Sequence, residues 1–330
     1  MSSIKYGGVE IIGSGFFVPD AKVSNRKLAE NLGVNFEWID ERSGIKERAI
    51  LNSDLNTSDM AVSAAKAAIK SANITEQEID MIIIATFSGD YVFPPLSAKV
   101  HKELCLPKEA QILDVQLNCA GFATAMSLAY QRLVLDKDLR TVLVIGAELL
   151  SRFTDKHDLE TAMFLGDGAG ACIMRSTNNL DCGLIAEAYL TDSSNYEAVK
   201  YKWPDQPTNK SQPPKNFIEM NGLATWKQVI TNLPKAIKTA LAKANLEADQ
   251  IDFFIFHQAN VRLIEYLMAK LKVNLEKTHI NADRYGNTGS ASMAIALAEA
   301  FQYGKIKKNQ NILIAGVGAG YNFSVIIVRT

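Results

Sequence analysis

Two stretches of the chain resemble each other at a fixed separation, and this repetition restricts the folds that the chain can adopt. Residues 71–86 read SANITEQEIDMIIIAT, and residues 243–258 read KANLEADQIDFFIFHQ. Both lead from a helix end through a short acidic connection and Ile-Asp into an apolar strand. Asp80 corresponds to Asp252, an offset of 172 residues. Chance similarity is a poor explanation, because a second pair of segments repeats at nearly the same offset.

The second pair consists of two strand–turn–helix–strand units. The first unit is QILDVQ, a turn with Cys119, an Ala-rich helix near residues 124–135 and the strand TVLVIGA. The second is THINAD, a turn with Asn287, an Ala-rich helix near residues 290–303 and the strand NILIAGV. Such alternation predicts parallel βαβ units whose apolar strands are covered on both faces. We therefore predict an internally duplicated α/β protein, with halves at residues 1–178 and 179–330.

Residues 193–217 interrupt the second half. The segment contains four prolines among polar residues, which predicts an exposed loop.

Composition excludes several classes of protein. The formal net charge is -1, so the chain has no overall basic field that would attract nucleic acid. No apolar run reaches the ~18 residues of a membrane span, and the first residues lack the apolar stretch of a signal peptide. The spacing of the four cysteines and four histidines fits neither a metal site nor a disulfide framework. We expect a cytoplasmic protein with reduced thiols and no bound metal.

Cys119 lies in DVQLNCAGFATAMSLA, where an apolar strand ends and a helix of small residues begins. Backbone N–H groups and the positive end of a helix dipole at such a junction favour thiolate over thiol. Gly121 permits a tight turn there. The segment alone is equally compatible with a small buried core cysteine.

His257 and Asn287 occupy comparable positions. His257 ends the apolar strand in IDFFIFHQAN, and Asn287 lies between two glycines in DRYGNTGSASMAIAL. The carboxyl end of a parallel strand is where α/β proteins place reactive groups. Taken singly, a hydrogen-bonded structural histidine and a turn or N-cap asparagine are the simpler interpretations. The duplication favours a functional role for all three residues, because it puts each at a strand-to-helix turn and one edge of a sheet could bring these turns together.

Two glycine-rich runs, GDGAG at 166–170 and GVGAG at 316–320, invite comparison with dinucleotide-binding motifs. Neither has the G-x-G-x-x-G spacing, and each precedes a strand-like run instead of a helix. We predict that both are tight turns in which the backbone approaches the active centre.

The same segments resemble the β-ketoacyl-acyl carrier protein synthase III family of thiolase-like condensing enzymes. The matching stretches are DVQLNCAGF, GAELLSRF, FLGDGAGA, FHQANVRLIE, DRYGNTGSAS and GVGAGYNFSVIIVR. The resemblance extends over nearly the whole chain, and HQAN and GNT with an upstream cysteine are specific as a set. It implies a five-layered α/β/α/β/α fold, a homodimer and no cofactor.

The resemblance also implies roles for the reactive residues. Cys119, in the first half, would accept the acyl group from acyl-CoA. His257 and Asn287, in the second half, would stabilise the enolate oxygen when a malonyl unit loses CO2. The backbone N–H groups of Cys119 and Ala319 would form the oxyanion hole for acyl transfer. A thiolate is a good nucleophile and leaving group, and an enolate needs fixed donors, so these roles agree with the chemistry of the residues.

Further positions match the family's substrate-binding residues, and these assignments also rest on the resemblance. Trp38, Arg42 and Arg152 would hold the CoA nucleotide, and Gly222 and Trp226 would line the pantetheine channel. Lys227 and Arg262 match a basic rim that suits an acidic acyl carrier protein. Phe93 would cross a dimer interface and limit the acyl pocket. For each of the two basic residues, solvated surface charge is the alternative interpretation.

The resulting prediction is an acyltransferase that catalyses a decarboxylating Claisen condensation. An acyl group from acyl-CoA joins malonyl-acyl carrier protein to give 3-oxoacyl-acyl carrier protein and starts fatty acid synthesis. The alternative within the fold is a specialised-metabolism enzyme that condenses or transfers an unusual acyl group. A Cys-His-Asn thiol hydrolase and a non-catalytic partner of another condensing enzyme are the alternatives from other classes.

Overall fold

The protein is described by a computed structural model that covers residues 8–202 and 217–330. Within these residues the strands are β1 (Gly8–Phe17), β2 (Lys22–Ser24), β3 (Glu47–Ala49), β4 (Met81–Ala85), β5 (Gln111–Val115), β6 (Thr141–Leu149), β7 (Asp167–Thr177), β8 (Gly183–Thr191), β9 (Val199–Lys200), β10 (Glu219–Met220), β11 (Phe253–Phe256), β12 (Asn311–Gly318) and β13 (Asn322–Arg329). The helices are α1 (Asn25–Leu32), α2 (Phe36–Ser43), α3 (Thr57–Ala72), α4 (Leu96–Glu103), α5 (Gly121–Leu135), α6 (Leu159–Ala162), α7 (Gly222–Ala244), α8 (Val261–Leu271), α9 (Ala282–Tyr285) and α10 (Ala291–Gln302). In this part of the chain, none of the helices is both long and apolar enough to cross a bilayer.

Two mixed sheets organise the molecule. The first has the strand order β1-β7-β6-β4-β5, with β4 parallel to both β5 and β6 and the other pairs antiparallel. The second has the order β11-β12-β13-β8, with β11 and β12 parallel. The apolar runs MIIIA of β4 and FFIF of β11 are buried throughout, as strands covered on both faces must be.

Helices separate and cover the sheets, which gives five layers. Helix α3 packs on the outer face of the first sheet, and α7 packs on the outer face of the second. Helices α5 and α10 lie between the sheets and share one apolar core with both. Every residue of α10 from Ala291 to Ala300 is buried, which explains why an Ala-rich helix rather than an amphipathic one occupies this layer. The predicted five-layered α/β fold is confirmed.

The duplication is visible in local geometry. Helices α3 and α7 both end at an asparagine with left-handed backbone, Asn73 (φ 53°) and Asn245 (φ 54°). A 3-10 turn with a capping box follows each helix. The carboxylates of Asp80 and Asp252 then accept backbone N–H groups at the start of a neighbouring strand, at 2.8 Å in each case. The predicted boundary at 178/179 lies between β7 and β8, which belong to different sheets.

The structure corrects three predictions. THINAD is not a strand: it makes one isolated bridge, at Thr278, and then enters α9. Its backbone is bonded instead by side chains, because the Gln258 amide oxygen accepts the Asn281 N–H at 3.0 Å. The supposed loop at 193–217 begins with a 3-10 helix and with β9, which pairs with β10. The four prolines of that segment lie outside the described residues.

The third correction concerns the glycine-rich runs. Most of both runs lies within β7 and β12 and does not form tight turns. Close backbone approach does occur: a Cβ on Gly316 would meet the Cys119 carbonyl oxygen at 2.9 Å, and one on Gly318 would meet the Leu117 carbonyl oxygen at 2.3 Å. Glycine is therefore needed at these positions because the cysteine turn packs directly on β12.

Candidate active site

A cavity of about 860 Å³ is lined by residues that directly follow several strands. Phe87, Gln116 and Leu150 come just after β4, β5 and β6, and His257 comes just after β11. Cys119 and Asn287 also line it. The structure thus brings together the three residues that the sequence placed at separate turns. Cys119 follows β5 of the first sheet and His257 follows β11 of the second, so the cavity lies where strand ends of the two sheets come together.

The cysteine turn has an unusual backbone. Asn118 has φ 47°, in the left-handed region, and the 3-10 turn Asn118–Ala120 leads into α5. Asparagine tolerates this conformation better than most residues because its short polar side chain bonds locally. Here the Asn118 amide donates to the Ala319 carbonyl oxygen at 3.3 Å. The bond ties the cysteine turn to the turn between β12 and β13.

Cys119 is partly accessible from the cavity, but the atoms around it change its acidity. Burial raises the pKa of the thiol to about 12, and the nearby Glu148 carboxyl adds to this effect. The sequence predicted a resting thiolate at the start of a helix, and the structure does not support that prediction. The raised pKa favours the thiol over the thiolate at Cys119.

His257 is held at both its backbone and its ring. Its N–H donates to the Ala315 carbonyl oxygen at 2.9 Å, and its Nδ1 lies 2.7 Å from the Ser292 Oγ of α10. Burial lowers the pKa of His257 to about 3, so the ring is neutral and carries one hydrogen. Ser292 Oγ also accepts the Gln258 N–H at 3.2 Å, which leaves its own proton free to point at Nδ1. In that arrangement Nε2 carries the hydrogen and is a donor.

Asn287 is fixed by three hydrogen bonds. Its N–H donates to the Phe164 carbonyl oxygen at 2.7 Å, and its carbonyl oxygen accepts the Gly166 N–H at 2.9 Å. Its side-chain Oδ1 accepts the Gly289 N–H at 2.9 Å. Because the amide oxygen faces the backbone, the NH2 group is the part of the side chain left for the cavity. His257 and Asn287 therefore offer two neutral donors.

Glu148 is a functional candidate that the sequence reasoning missed. It is the penultimate residue of β6, is fully buried, and bonds with Ser88, Ser290 and the Phe87 N–H. Burial raises the pKa of its carboxyl to about 8 despite these bonds. A single acid in the apolar run TVLVIGAELL was the available signal, because buried acids are rare without a specific role.

The residues predicted to bind CoA divide into two groups. Trp38, Arg42, Gly222 and Trp226 line the cavity, and the Arg42 guanidinium lies 4.3 Å from the centre of the Trp38 ring. A stacked pair of this kind offers a flat surface and a positive charge together. Arg152 does not line the cavity: it is exposed and donates to the Asn56 Oδ1 at 3.2 Å.

The remaining predicted residues lie at the periphery. The Ala319 backbone and Arg262 line the cavity, whereas Lys227 is exposed and does not. Arg262 is not a free cation, because its guanidinium pairs with Glu265 at 3.1 Å. The Phe93 side chain is 83% exposed and lies outside the cavity, so it does not pack in the core of its own chain.

Comparison with known proteins agrees with this geometry. Residues 113–193 match the family 3-Oxoacyl-[acyl-carrier-protein (ACP)] synthase III, and residues 241–330 match its C-terminal counterpart. The chain is 37% identical to the β-ketoacyl-[acyl-carrier-protein] synthase III of Ehrlichia canis (strain Jake), over 97% of this chain and 98% of the relative.

Solved structures give the same result. The 3-oxoacyl-[acyl-carrier-protein] synthase III from Aquifex aeolicus VF5 superposes with a TM-score of 0.90 at 32% identity, over 98% of this chain and 100% of that one. The priming β-ketosynthase from the R1128 polyketide biosynthetic pathway has a TM-score of 0.91 at 27% identity, over 98% and 96% of the two chains. This chain belongs to the β-ketoacyl-[acyl-carrier-protein] synthase III family.

Proposed function

We propose that this acyltransferase condenses an acyl group from acyl-CoA with malonyl-acyl carrier protein to give 3-oxoacyl-acyl carrier protein, the step that starts fatty acid synthesis. The observation that carries the proposal is one cavity that gathers Cys119, His257 and Asn287 from both halves of the chain. The curated relatives carry the name of the fatty acid enzyme, so the specialised-metabolism alternative is not favoured.

The first step loads the enzyme. The Cys119 sulfur attacks the thioester carbonyl of acyl-CoA, a new carbon–sulfur bond forms, and the bond to CoA breaks. The thiol proton leaves with the CoA sulfur, so free CoA departs and a neutral acyl-enzyme remains. The backbone N–H groups of Cys119 and Ala319 are the proposed donors to the oxygen that becomes negative in this step.

The second step forms the carbon–carbon bond. The malonyl carboxylate leaves as CO2, and the electron pair of the broken bond passes into an enolate. His257 Nε2–H and the Asn287 NH2 group donate to the enolate oxygen. The enolate carbon attacks the acyl-enzyme carbonyl, and Cys119 leaves as a thiolate that regains a proton. Loss of CO2 itself generates the carbanion, so the proposed route calls for no metal or redox cofactor.

Substrate binding follows from the residues around the cavity. Trp38 and Arg42 present a ring and a guanidinium that suit an adenine and a phosphate, and Gly222 and Trp226 line the path inwards. Arg152, outside the cavity, would reach only the nucleotide end of CoA. Arg262 and Lys227 form the basic rim proposed for the acidic carrier protein.

A homodimer is proposed from the exposed apolar surface. Tyr91, Val92 and Phe93 are each more than two-thirds exposed, and Ile112 and Leu113 are exposed on β5, the edge strand of the first sheet. An exposed edge strand with apolar side chains favours pairing with another chain. Phe93 would then close the partner's acyl pocket. We propose the cytoplasm as the location because all four cysteines are free.

A two-stage incubation tests the function. The enzyme is mixed with acyl-CoA, separated from free CoA, and then given malonyl-acyl carrier protein while CO2 and carrier-protein mass are followed. The proposal expects CO2 release and a change in carrier-protein mass equal to the mass of the acyl group minus that of the lost carboxyl group. Release of free fatty acid without a condensed product would instead identify a thiol hydrolase and overturn the proposal.

A further inference from the structure

Glu148 is a fully buried acid that bonds to the cavity-lining Phe87, and the reaction above has no use for it. It lies near the end of β6, and its carboxyl reaches the loop after β4 on one side and the turn before α10 on the other. Its partners are two serine hydroxyls and the backbone N–H groups of Phe87 and Ser290, and the hydrogen bonds described for it include no cation. A carboxylate buried without a cation is costly, so the group must either be very well solvated by donors or carry a proton.

The hydrogen count around Ser290 favours the proton. Ser290 Oγ lies 2.7 Å from the Ala85 carbonyl oxygen and 2.5 Å from the Glu148 Oε1. A hydroxyl has one hydrogen to donate, and a carbonyl oxygen can only accept. If Ser290 donates to Ala85, the short contact to Glu148 needs a hydrogen from the carboxyl. Glu148 then donates to Ser290 as a neutral carboxylic acid.

The second carboxyl oxygen completes the arrangement. Ser88 Oγ accepts the Leu149 N–H at 2.9 Å, so its own hydrogen is free for the Glu148 Oε2. The Phe87 N–H adds a donor at 3.2 Å. One carboxylic acid thereby connects the loop at Phe87–Ser88 to the turn at Gly289–Ser290.

That turn carries Asn287. The Gly289 N–H holds the Asn287 Oδ1, and Gly289 itself is pressed against Glu148, since an added Cβ would lie 2.9 Å from the Glu148 Cγ. The same Cβ would lie 3.3 Å from the Phe87 ring, which also lines the cavity. Displacement of the Glu148 side chain would therefore move the peptide that fixes the orientation of the Asn287 amide.

We propose that Glu148, as a neutral carboxylic acid, is the positioning residue that aligns Asn287 for enolate stabilisation and keeps negative charge away from the Cys119 thiol. The proposal rests on the function proposed above, because it gives the enolate donor and the nucleophile one shared support.

The charge state of Glu148 gives the proposal a pH dependence. The titratable groups on the elements around it include Cys119 and His257, which contacts α10 through Ser292. On β7 they are Asp167, whose carboxyl accepts from Ser151 and Leu51, the buried thiol Cys172, and Arg175, which bonds to Thr141 and Glu78. The pKa of Glu148 is raised to about 8 by burial, so the acid is protonated below that pH and ionises above it. Ionisation of Glu148 places a negative charge near the thiolate and the enolate that form during the reaction. Because like charges repel, we expect acyl loading and malonyl decarboxylation to slow as the pH rises.

The decisive variant is Glu148→Gln. Its amide has the shape of the acid, donates to Ser290, accepts from Ser88 and cannot ionise. We expect it to keep malonyl decarboxylation within about 3-fold of wild type at pH 7 and to lose the fall in rate that wild type shows above pH 8. Glu148→Ala should slow decarboxylation by ~10–100-fold, short of the ~100–1000-fold cost of removing a donor outright. Glu187→Gln, in which another serine-bonded acid that does not line the cavity is changed, is the control and should keep the wild-type profile.

Two measurements separate this proposal from the proposed function. Infrared spectra at pH 7 should show the C=O band of a protonated buried carboxyl that Glu148→Gln lacks, whether or not the enzyme turns over. Alkylation of Cys119 by iodoacetamide should accelerate more steeply above pH 8 in Glu148→Gln than in wild type. If wild type shows no such infrared band, or if Glu148→Gln keeps the wild-type alkaline fall in rate and alkylation, the proposal is wrong. Failure of wild type to form an acyl-enzyme would instead refute the proposed function.

Discussion

Replacement of Asn287 by alanine should separate the chemistry of decarboxylation from that of acyl loading. The side chain has two functions: its Oδ1 accepts the Gly289 N–H at 2.9 Å, and its NH2 group is left to face the cavity. Alanine removes both. Only the NH2 group would act on the enolate oxygen. Acyl transfer to Cys119 is a separate, earlier step, and its negative oxygen has other proposed donors, the backbone N–H groups of Cys119 and Ala319.

The magnitudes follow from these two losses. Removal of one donor to a developing oxyanion costs ~100–1000-fold in rate, which is about 2.7–4 kcal/mol of transition-state stabilisation. The Gly289 N–H, partly buried, loses its acceptor, and an unsatisfied donor of this kind costs about 1–3 kcal/mol of folding stability. We expect decarboxylation to fall by the first factor and Cys119 acylation to stay within about 3-fold of wild type.

The assay measures the two steps in parallel. Labelled CO2 release from malonyl-acyl carrier protein reports decarboxylation, and intact-protein mass after acyl-CoA addition reports loading in a single turnover. Asn232→Ala is a matched control, since that buried asparagine of α7 bonds to Gln228 and Asp192 outside the cavity. The control should lose stability and retain both rates. Normal decarboxylation by Asn287→Ala, or an equal loss in both steps, would refute the assigned role.

Four further predictions address the other parts of the molecule. Peptide mapping after acyl-CoA treatment should find the thioester on Cys119 alone, because the other cysteines lie outside the cavity; acylation elsewhere with Cys119 free contradicts this. Arg262→Glu should weaken use of malonyl-acyl carrier protein at low salt and leave acyl-CoA loading unchanged, and an unaltered apparent affinity would remove the rim from consideration. Phe93→Ala should extend the preferred acyl chain in a profile of acyl-CoA substrates while sizing still shows a dimer; a monomeric wild type or an unchanged profile would exclude the interface role. Burial alone would raise the pKa of Glu299, but hydrogen bonds from His279, Asn281 and Tyr285 and the Arg284 charge lower it to about 2. The stability that the ionised carboxylate contributes is therefore lost as the pH falls from about 4.5 towards 2. Glu299→Gln should make the free energy of unfolding less dependent on pH in this range, as measured by circular dichroism.

The sequence contained enough to predict the fold and the convergence of the reactive residues. Apolar runs such as MIIIA and FFIF are long and continuous, so strand identity did not depend on distant contacts. The two repeated segment pairs indicated that Cys119, His257 and Asn287 each lie at a turn, although the turn with Asn287 follows α9 and not a strand. The packing of the two sheets then brings these turns to one cavity, because the strands before Cys119 and His257 belong to different sheets.

Properties that depend on neighbours far away in the chain could not be predicted. The acidity of Cys119 is set by burial and by Glu148, and a local argument from the helix start gave the wrong direction. THINAD has a strand-like pattern, but the Gln258 side chain satisfies backbone groups that a strand would have paired. Ser292, which contacts the His257 ring, lies 35 residues further along the chain, and the sequence of neither segment predicts this contact.

Substitutions in the two helices between the sheets, α5 and α10, should affect both stability and the geometry of the site. The cysteine turn leads into α5 and the asparagine turn leads into α10, and these two helices pack together between the sheets. The spacing between the proposed nucleophile and the proposed enolate donor therefore depends on the packing of these alanine-rich helices, and an added methylene in a close-packed core usually causes strain. Cavity-filling substitutions are an ordinary route to thermostability, but in this layer they would push α5 and α10 apart and increase the distance between Cys119 and Asn287. A search for heat-resistant variants should therefore leave the core between α5 and α10 unchanged, although most of its residues do not touch the substrate.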